Sequence, residues 1–293
     1  MVKLDIIRST NAALANSATK PYVAVVAGGT AGIGESAVRA LAATFAGRGD
    51  REDDVLRVHI VDTKEGLDKY YSLLYYSRAR FVERLLPLLI APPGAGHVVS
   101  VLNASIKEAL VLDDFALRNS KNQKFQTAFA HLVSLTNIFF EEVARRNLGR
   151  IALCHQHPGY VPTDIASKSN FPWWLKFLIT YIVNPLFRPW WVPFEECGQH
   201  ILFMASPARF PARRPEYVRD STETLLGSVD GVEPAEGIDG DVGSGAYRVN
   251  KDGDTFPKRK EYGKVRENGT TEKVYQHTMA VFAEIEVGGM FKG

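Results

Sequence analysis

Two groups of residues in this chain have types and spacings that could do chemistry. The first is a turn, Gly28, Gly29, Thr30, Ala31, Gly32, Ile33 and Gly34, preceded by the apolar run Tyr22 to Ala27. After it, Ile33, Ala37, Val38, Leu41 and Phe45 recur at helical spacing. Strand, glycine turn and helix in that order leave unbonded N–H groups and the positive end of a helix dipole at the turn, and glycines let a pyrophosphate approach that backbone. The second group surrounds a His-Pro-Gly sequence: His155, His157, Pro158, Gly159, Tyr160 and Asp164. His157 or Tyr160 could pass a proton to a substrate oxygen if its ring points into a cleft. Each also has a plainer reading. His155, at a strand end, reads as a satisfied core residue, and Tyr160 as support for the segment that follows. Asp164 suits a helix N-cap as well as a base, and His131, inside a helical pattern, reads as structural.

The bulk numbers narrow the classes. With 293 residues, 45% of them hydrophobic, the chain can bury one full core, so residues 1–293 read as a single domain. A net charge of +2, with no basic run longer than Lys258 to Lys260, argues against a nucleic-acid partner. Cys154 and Cys197 are too few and too far apart for a disulfide framework or a metal site, so no metal is expected and a reducing compartment is the default. The N-terminal stretch lacks an uninterrupted apolar run of the secretory kind, which points to a cytoplasmic location.

The elements that must position these residues follow from hydrophobic periodicity. Residues 3–17, within a lead-in of 1–20, read as an amphipathic helix through Leu4, Ile7, Ala12 and Leu14. Val55 to Val61 is a strand closed by Asp62, and Glu65 to Ile90 a long helix with Leu67, Tyr71, Leu74, Phe81 and Leu85 on one stripe, ended by Pro92, Pro93 and Gly94. His97 to Leu102 is a strand, Phe125 to Arg146 a helix with Phe129, Leu132, Phe139 and Val143 inward, and Ile151 to His155 a strand. Glu195 to Ala205 reads as a helix, 207–245 as a surface loop, Ala246 to Val249 as the last strand and Thr271 to Ile285 as a closing helix.

The spacing Gly28, three residues, Gly32-Ile33-Gly34 resembles the cofactor loop of the short-chain dehydrogenase/reductase family. The likeness covers most of the chain and is greatest to a branch from fungal biosynthetic pathways, which shares the lead-in LDIIRSTNAALA, the LLPLL helix end and a C-terminal helix like VYQHTMAVF. The resemblance implies an α/β fold, a Rossmann-like doubly wound parallel sheet, and an NAD(P) cofactor held by Gly28, Thr30, Gly32, Ile33 and Gly34. Pro158, Gly159 and Thr163 match the Pro-Gly loop that faces the nicotinamide amide and ribose in relatives. Phe171 to Trp191, within an insertion at 166–194, corresponds to the substrate lid and holds all four tryptophans. As a lid it would roof a small hydrophobic substrate; plain core and contact with a membrane interface are the lesser alternatives.

The chain departs from the family in two respects. Relatives place two more βα units between the glycine loop and the third strand, and a βαβ unit needs roughly 30 residues or more, so one or two units are missing here. If Val55 to Val61 is the family's second strand, Asp62 sits where a carboxylate accepts from the adenine ribose hydroxyls; if it is the fourth, which the following TKEGLD and LLPLL favour, Asp62 lies near the nicotinamide end. A solvated Asp at a strand end is equally open. The shortened sheet leaves an edge that a second copy could cover, so homo-oligomerisation is open as well.

The second departure is chemical. The family's Tyr and Lys positions fall on Phe125 and Phe129, its Ser position on Asn103 with Ser105 two residues on, and its Asn position on Leu74. Phenylalanine has no proton to give, and no Tyr-x-x-x-Lys occurs between Asn103 and Arg146. Asn103, Ser105, His157 and Tyr160 are therefore the candidate catalytic residues. Three functions stay open: an oxidoreductase with substitute acid/base groups, a redox-neutral cyclase, isomerase or dehydratase on the same scaffold, and an inactive paralogue that binds a ligand or partner.

Overall fold

The structure is a computed structural model that describes residues 2–17, 24–27, 32–45, 57–59, 71–106, 110–117, 119–122, 125–163, 172–215, 231–257, 263 and 266–288. Among these residues, strand β1 (Val25–Ala27) pairs in parallel with β2 (Arg57–His59). Strands β3 (Gly96–Val101), β4 (Ile151–Gln156) and β5 (Ala246–Val249) form a second parallel group in that order. The helices are α1 (Leu4–Ser17), α2 (Gly32–Phe45), α3 (Ser77–Ile90), α4 (Phe125–Arg146), α5 (Trp173–Leu178), α6 (Asn184–Phe187), α7 (Phe194–Phe203) and α8 (Thr270–Gly288).

All six residues of β4 are buried, so its side chains must serve two faces with period 2. Ile151 and Leu153 enter a core with Leu132, Phe139 and Val143 of α4 and Val274 and Val281 of α8. Ala152 and Cys154 enter a second core with Ile7 of α1 and Phe203 of α7. Helices on both faces of a parallel sheet make this the doubly wound, Rossmann-like α/β architecture that the resemblance implies.

Helix α4 is buried without a break from Ala130 to Ala144, including Glu141 and Glu142, as a helix between a sheet and another helix must be. Its acids are neutralised by geometry: Arg266 holds Glu141 through two bonds of 2.5 and 2.7 Å, while Arg146 reaches Glu142 at 2.7 Å. On the other face, α2 and α7 approach so closely that a β-carbon on Gly198 would lie 2.2 Å from the Ser36 carbonyl oxygen. Only glycine fits there.

Several expectations are corrected. The helix expected to continue from Glu65 is, where described, a π turn at Ser72–Tyr76 running into α3. The fully buried apolar residues there are Tyr75, Tyr76, Ala79 and Val82; of the expected stripe, Tyr71 and Leu74 pack half-buried against the same core, and Phe81 and Leu85 are only half-buried. In α1 the buried residues are Ile7, Thr10, Asn11 and Leu14, and Ala12 is exposed. Asn11 turns inward because its amide donates to the Gln199 carbonyl at 3.1 Å and to its side chain at 2.8 Å. The 207–245 stretch is no surface loop in its described parts: Ala208, Phe210, Ala235 and Ile238 are buried, and the Tyr247 hydroxyl donates to the Pro211 carbonyl. Its glycines and polar residues turn the backbone, but Phe210 and Ala235 fill the second core and Ile238 the first.

Candidate functional site

In an open parallel sheet the ligand site lies at the carboxyl ends of the strands. Here those ends carry Leu102 and Asn103 after β3, His157 to Tyr160 after β4, and Asn250 and Lys251 after β5. The backbone ties them side by side: Leu102 N–H donates to the Gln156 carbonyl at 3.0 Å, and His157 N–H to the Val249 carbonyl at 2.8 Å. Asn103 and His157, far apart in sequence, thus follow adjacent strand ends. Asn103 closes a local turn, its Oδ1 accepting from the Ser105 amide at 3.2 Å and the Ser105 hydroxyl at 2.5 Å.

His157 is the ring best placed for chemistry. Its Nδ1 is buried with no hydrogen-bond partner among the described residues. Burial, and then the Lys251 charge, hold its pKa below the ordinary imidazole value, so it is neutral near neutral pH. Lys251 lies across the Pro-Gly loop: Gly159 has φ +72°, and a β-carbon there would meet Lys251 Cδ at 2.8 Å. The Lys251 ammonium bonds Asp252 at 2.8 Å, and Asn250 Oδ1 accepts the Asp252 amide at 2.8 Å to shape the turn. Lys251 was missed in the sequence because nothing in its own neighbourhood marks it; only the β4–β5 pairing brings it to His157.

Tyr160 belongs to another contact. Its hydroxyl donates to Asn184 Oδ1, its carbonyl accepts from Val192 N–H at 2.9 Å, and its ring stacks 6.4 Å from that of Trp191. That is the supporting role that the plainer reading gave it, with its proton already committed. His131 is likewise structural: its Nδ1 accepts the Val111 amide and its Nε2 donates to the Phe115 carbonyl, both at 3.0 Å.

One residue before the sheet edge, a buried polar row crosses the three strands. Ser100 lies opposite His155, and His155 opposite Arg248. His155 Nδ1 donates to Asn137 Oδ1 of α4 at 2.7 Å, and Arg78 of α3 donates to Ser100 Oγ at 2.9 Å and the Val101 carbonyl at 2.7 Å. Burial first, then the charges of Arg78 and Arg248, push the His155 pKa down to about 3. It is a neutral core residue that fastens α4 to the sheet, and no proton shuttle at ordinary pH.

On the nucleotide side, β1 ends at Ala27 and the fourteen-residue α2 begins at Gly32, with Ile33 and Gly34 in its first turn. A short connection into a helix N-terminus with two glycines suits a pyrophosphate, so the residues present fit the phosphate end of a dinucleotide. Gly28, Thr30, Asp62 and Asp164 lie outside the described residues, as does the side chain of Phe125. Both placements of β2 make it a parallel neighbour of β1, as observed. Phe129 sits half-buried in the second turn of α4, and Thr163 half-buried beyond the Pro-Gly loop.

No protein-family model matches the chain. Among curated proteins it is 33% identical over 220 residues to an oxidoreductase of Emericella nidulans, covering 74% of this chain and 62% of that protein. It is 30% identical over 229 residues to a short-chain dehydrogenase/reductase of Stachybotrys chartarum, covering 78% of this chain and 62% of the relative. Over about three quarters of its length the chain is thus similar to fungal proteins named as oxidoreductases and as a short-chain dehydrogenase/reductase. An oxidoreductase of Emericella variicolor is 30% identical over 224 residues, covering 76% of this chain and 63% of its own length. The chain spans a little under two thirds of each of these fungal proteins. Among solved structures, NADPH-bound carbonyl reductase from chicken fatty liver aligns at 11% identity and TM-score 0.42, covering 81% of this chain and 94% of that one. The ligand-free aldohexose dehydrogenase of Thermoplasma acidophilum aligns at 12% identity and TM-score 0.41, covering 64% and 88%. Among the described residues there is no group of metal-ligating side chains and no helix long and apolar enough to cross a membrane.

Proposed function

We propose that the chain is a short-chain dehydrogenase/reductase, an NAD(P)-dependent oxidoreductase of a small hydrophobic secondary metabolite, with His157 and Lys251 in place of the family's Tyr and Lys. The observation that carries this reading is the His157 ring at the strand ends, its buried Nδ1 without a partner among the described residues and the Lys251 charge beside it. A nicotinamide bound at the turn before α2 and the Pro-Gly loop would supply the hydride. A neutral imidazole can polarise a carbonyl and hand its N–H proton to the oxygen as negative charge grows there. The neighbouring ammonium stabilises that charge and restores the proton from solvent. The Asn103 amide N–H groups at the next strand end would orient the same oxygen, their side chain held by Ser105, while Tyr160 keeps the aromatic segment in place.

The test is turnover of hydrophobic ketones and secondary alcohols, followed by nicotinamide absorbance with each cofactor. His157→Gln is expected to lower kcat about 100-fold, and Tyr160→Phe to leave it within roughly twofold because that hydroxyl serves Asn184. Full activity in His157→Gln overturns the reading. A redox-neutral conversion is the second reading, favoured by Phe129, which can shape a pocket and cannot move a proton. Substrate conversion with no nicotinamide consumed would select it.

A further inference from the structure

Residues Trp173–Trp190 form an arm made of α5, a π turn at Ile179–Val183, α6 and a 3-10 turn at Arg188–Trp190, and none of these segments contains a buried residue. Of the sixteen large apolar side chains exposed among the described residues, nine lie in these eighteen positions. Trp173 is 80% exposed, Tyr181 66%, Leu186 65% and Trp190 65%. The nine together present on the order of 1,000 Å² of surface, about twice the largest patch usual on a monomer. Four-residue spacing drifts around an α-helix; the wider π turn in the middle slows that drift and keeps Trp173, Phe177 and Tyr181 on one side.

The chemistry of the arm identifies its partner. Tryptophans stand in pairs at its two ends, Trp173 with Trp174 and Trp190 with Trp191, and no Asp or Glu occurs from 165 to 194 while Lys168, Lys176 and Arg188 do. Indoles at the margins of an apolar stretch with exclusively positive charge suit the interface of a bilayer containing anionic lipid. Pro185, Pro189 and the short helical pieces make the arm one that lies on a membrane, since no described helix can cross one. Among the described residues, the backbone contacts at its far end are those of Tyr160 with Trp191 and Val192.

We infer that the arm docks the protein on anionic membrane surfaces. This goes beyond the catalytic proposal and does not depend on it. The experiment is co-sedimentation of the purified chain with phosphatidylcholine vesicles and with phosphatidylcholine/phosphatidylserine vesicles, with tryptophan quenching by brominated lipid. Binding to the mixed vesicles with quenching is expected. Trp173→Ser with Trp190→Ser should weaken it roughly tenfold to a hundredfold, and Lys176→Gln or Arg188→Gln about fivefold each on the anionic vesicles only. Unchanged folding of each variant is checked by circular dichroism; should a variant unfold, quenching in the unaltered protein decides. Failure of the unaltered protein to bind mixed vesicles overturns the inference. So does a dimer by light scattering that the tryptophan substitutions dissociate, with no lipid quenching, which would make a second copy the occupant.

Discussion

Acidification should unfold this protein well before its carboxylates titrate, and His155 sets the scale. In the unfolded chain an imidazole titrates near ~6.5, whereas the folded pKa is depressed to about 3 by burial and by Arg78 and Arg248. A depressed pKa means that the folded state refuses a proton which the unfolded state accepts. Stability is therefore fully present above the unfolded value and declines as pH falls toward the folded one. From about pH 7 to about pH 5 the unfolded state gains roughly 2 kcal/mol from this one residue. His97 and His277, each lowered to about 4 chiefly by burial, act in the same direction and contribute nearly as much over this range. The sum, about 5 kcal/mol, is a large share of the ~5–15 kcal/mol that holds a typical domain together. Urea unfolding at the two pH values, followed by circular dichroism, measures it directly. His155→Gln removes one titrating group, so its own pH difference should be smaller by about 2 kcal/mol even though the variant is weaker at both values. An unchanged difference, or no loss of stability on acidification in the unaltered protein, would refute the buried, neutral state of this ring.

Further outcomes follow from the same contacts. Gly198→Ala should cost about 1–3 kcal/mol, seen as a lower Tm, since its β-carbon would meet the Ser36 carbonyl oxygen at 2.2 Å. Glu141→Gln, which leaves the Arg266 guanidinium facing a neutral amide in a largely buried site, should cost about 3 kcal/mol in urea titrations. Neither cysteine should react with thiol reagents until the chain is denatured, because both are buried and burial raises the pKa of each thiol, that of Cys197 to about 11; rapid labelling of native protein would contradict that.

The frame of the molecule was largely legible in the residues. The apolar run of Ile151 to His155, the long periodic stretch of Phe125 to Arg146 and the closing helix from Thr271 all appear within a few residues of their expected bounds, because burial on two faces or on one stripe leaves a strong pattern. What periodicity could not disclose were local departures from it. The π turn at Ser72–Tyr76 inserts extra rotation that a 3.6-residue count misplaces, and the described parts of 207–245 are buried where they meet strand β5, whose Tyr247 bonds the Pro211 carbonyl, a tertiary fact. The same holds for the site. His157 was visible beside its Pro-Gly loop, but Lys251, Asn137 and Arg78 reach their partners only through strand pairing and helix packing. Tyr160 looked chemically able in isolation, and Asn184 claims its hydroxyl.

The central claim is the proposal that a dinucleotide binds at the start of α2. Isothermal titration of the purified chain with NADH and with NADPH tests it most directly. Saturable one-to-one binding of at least one cofactor, abolished by Gly32→Val, is the expected result. No binding of either at millimolar concentrations would contradict it.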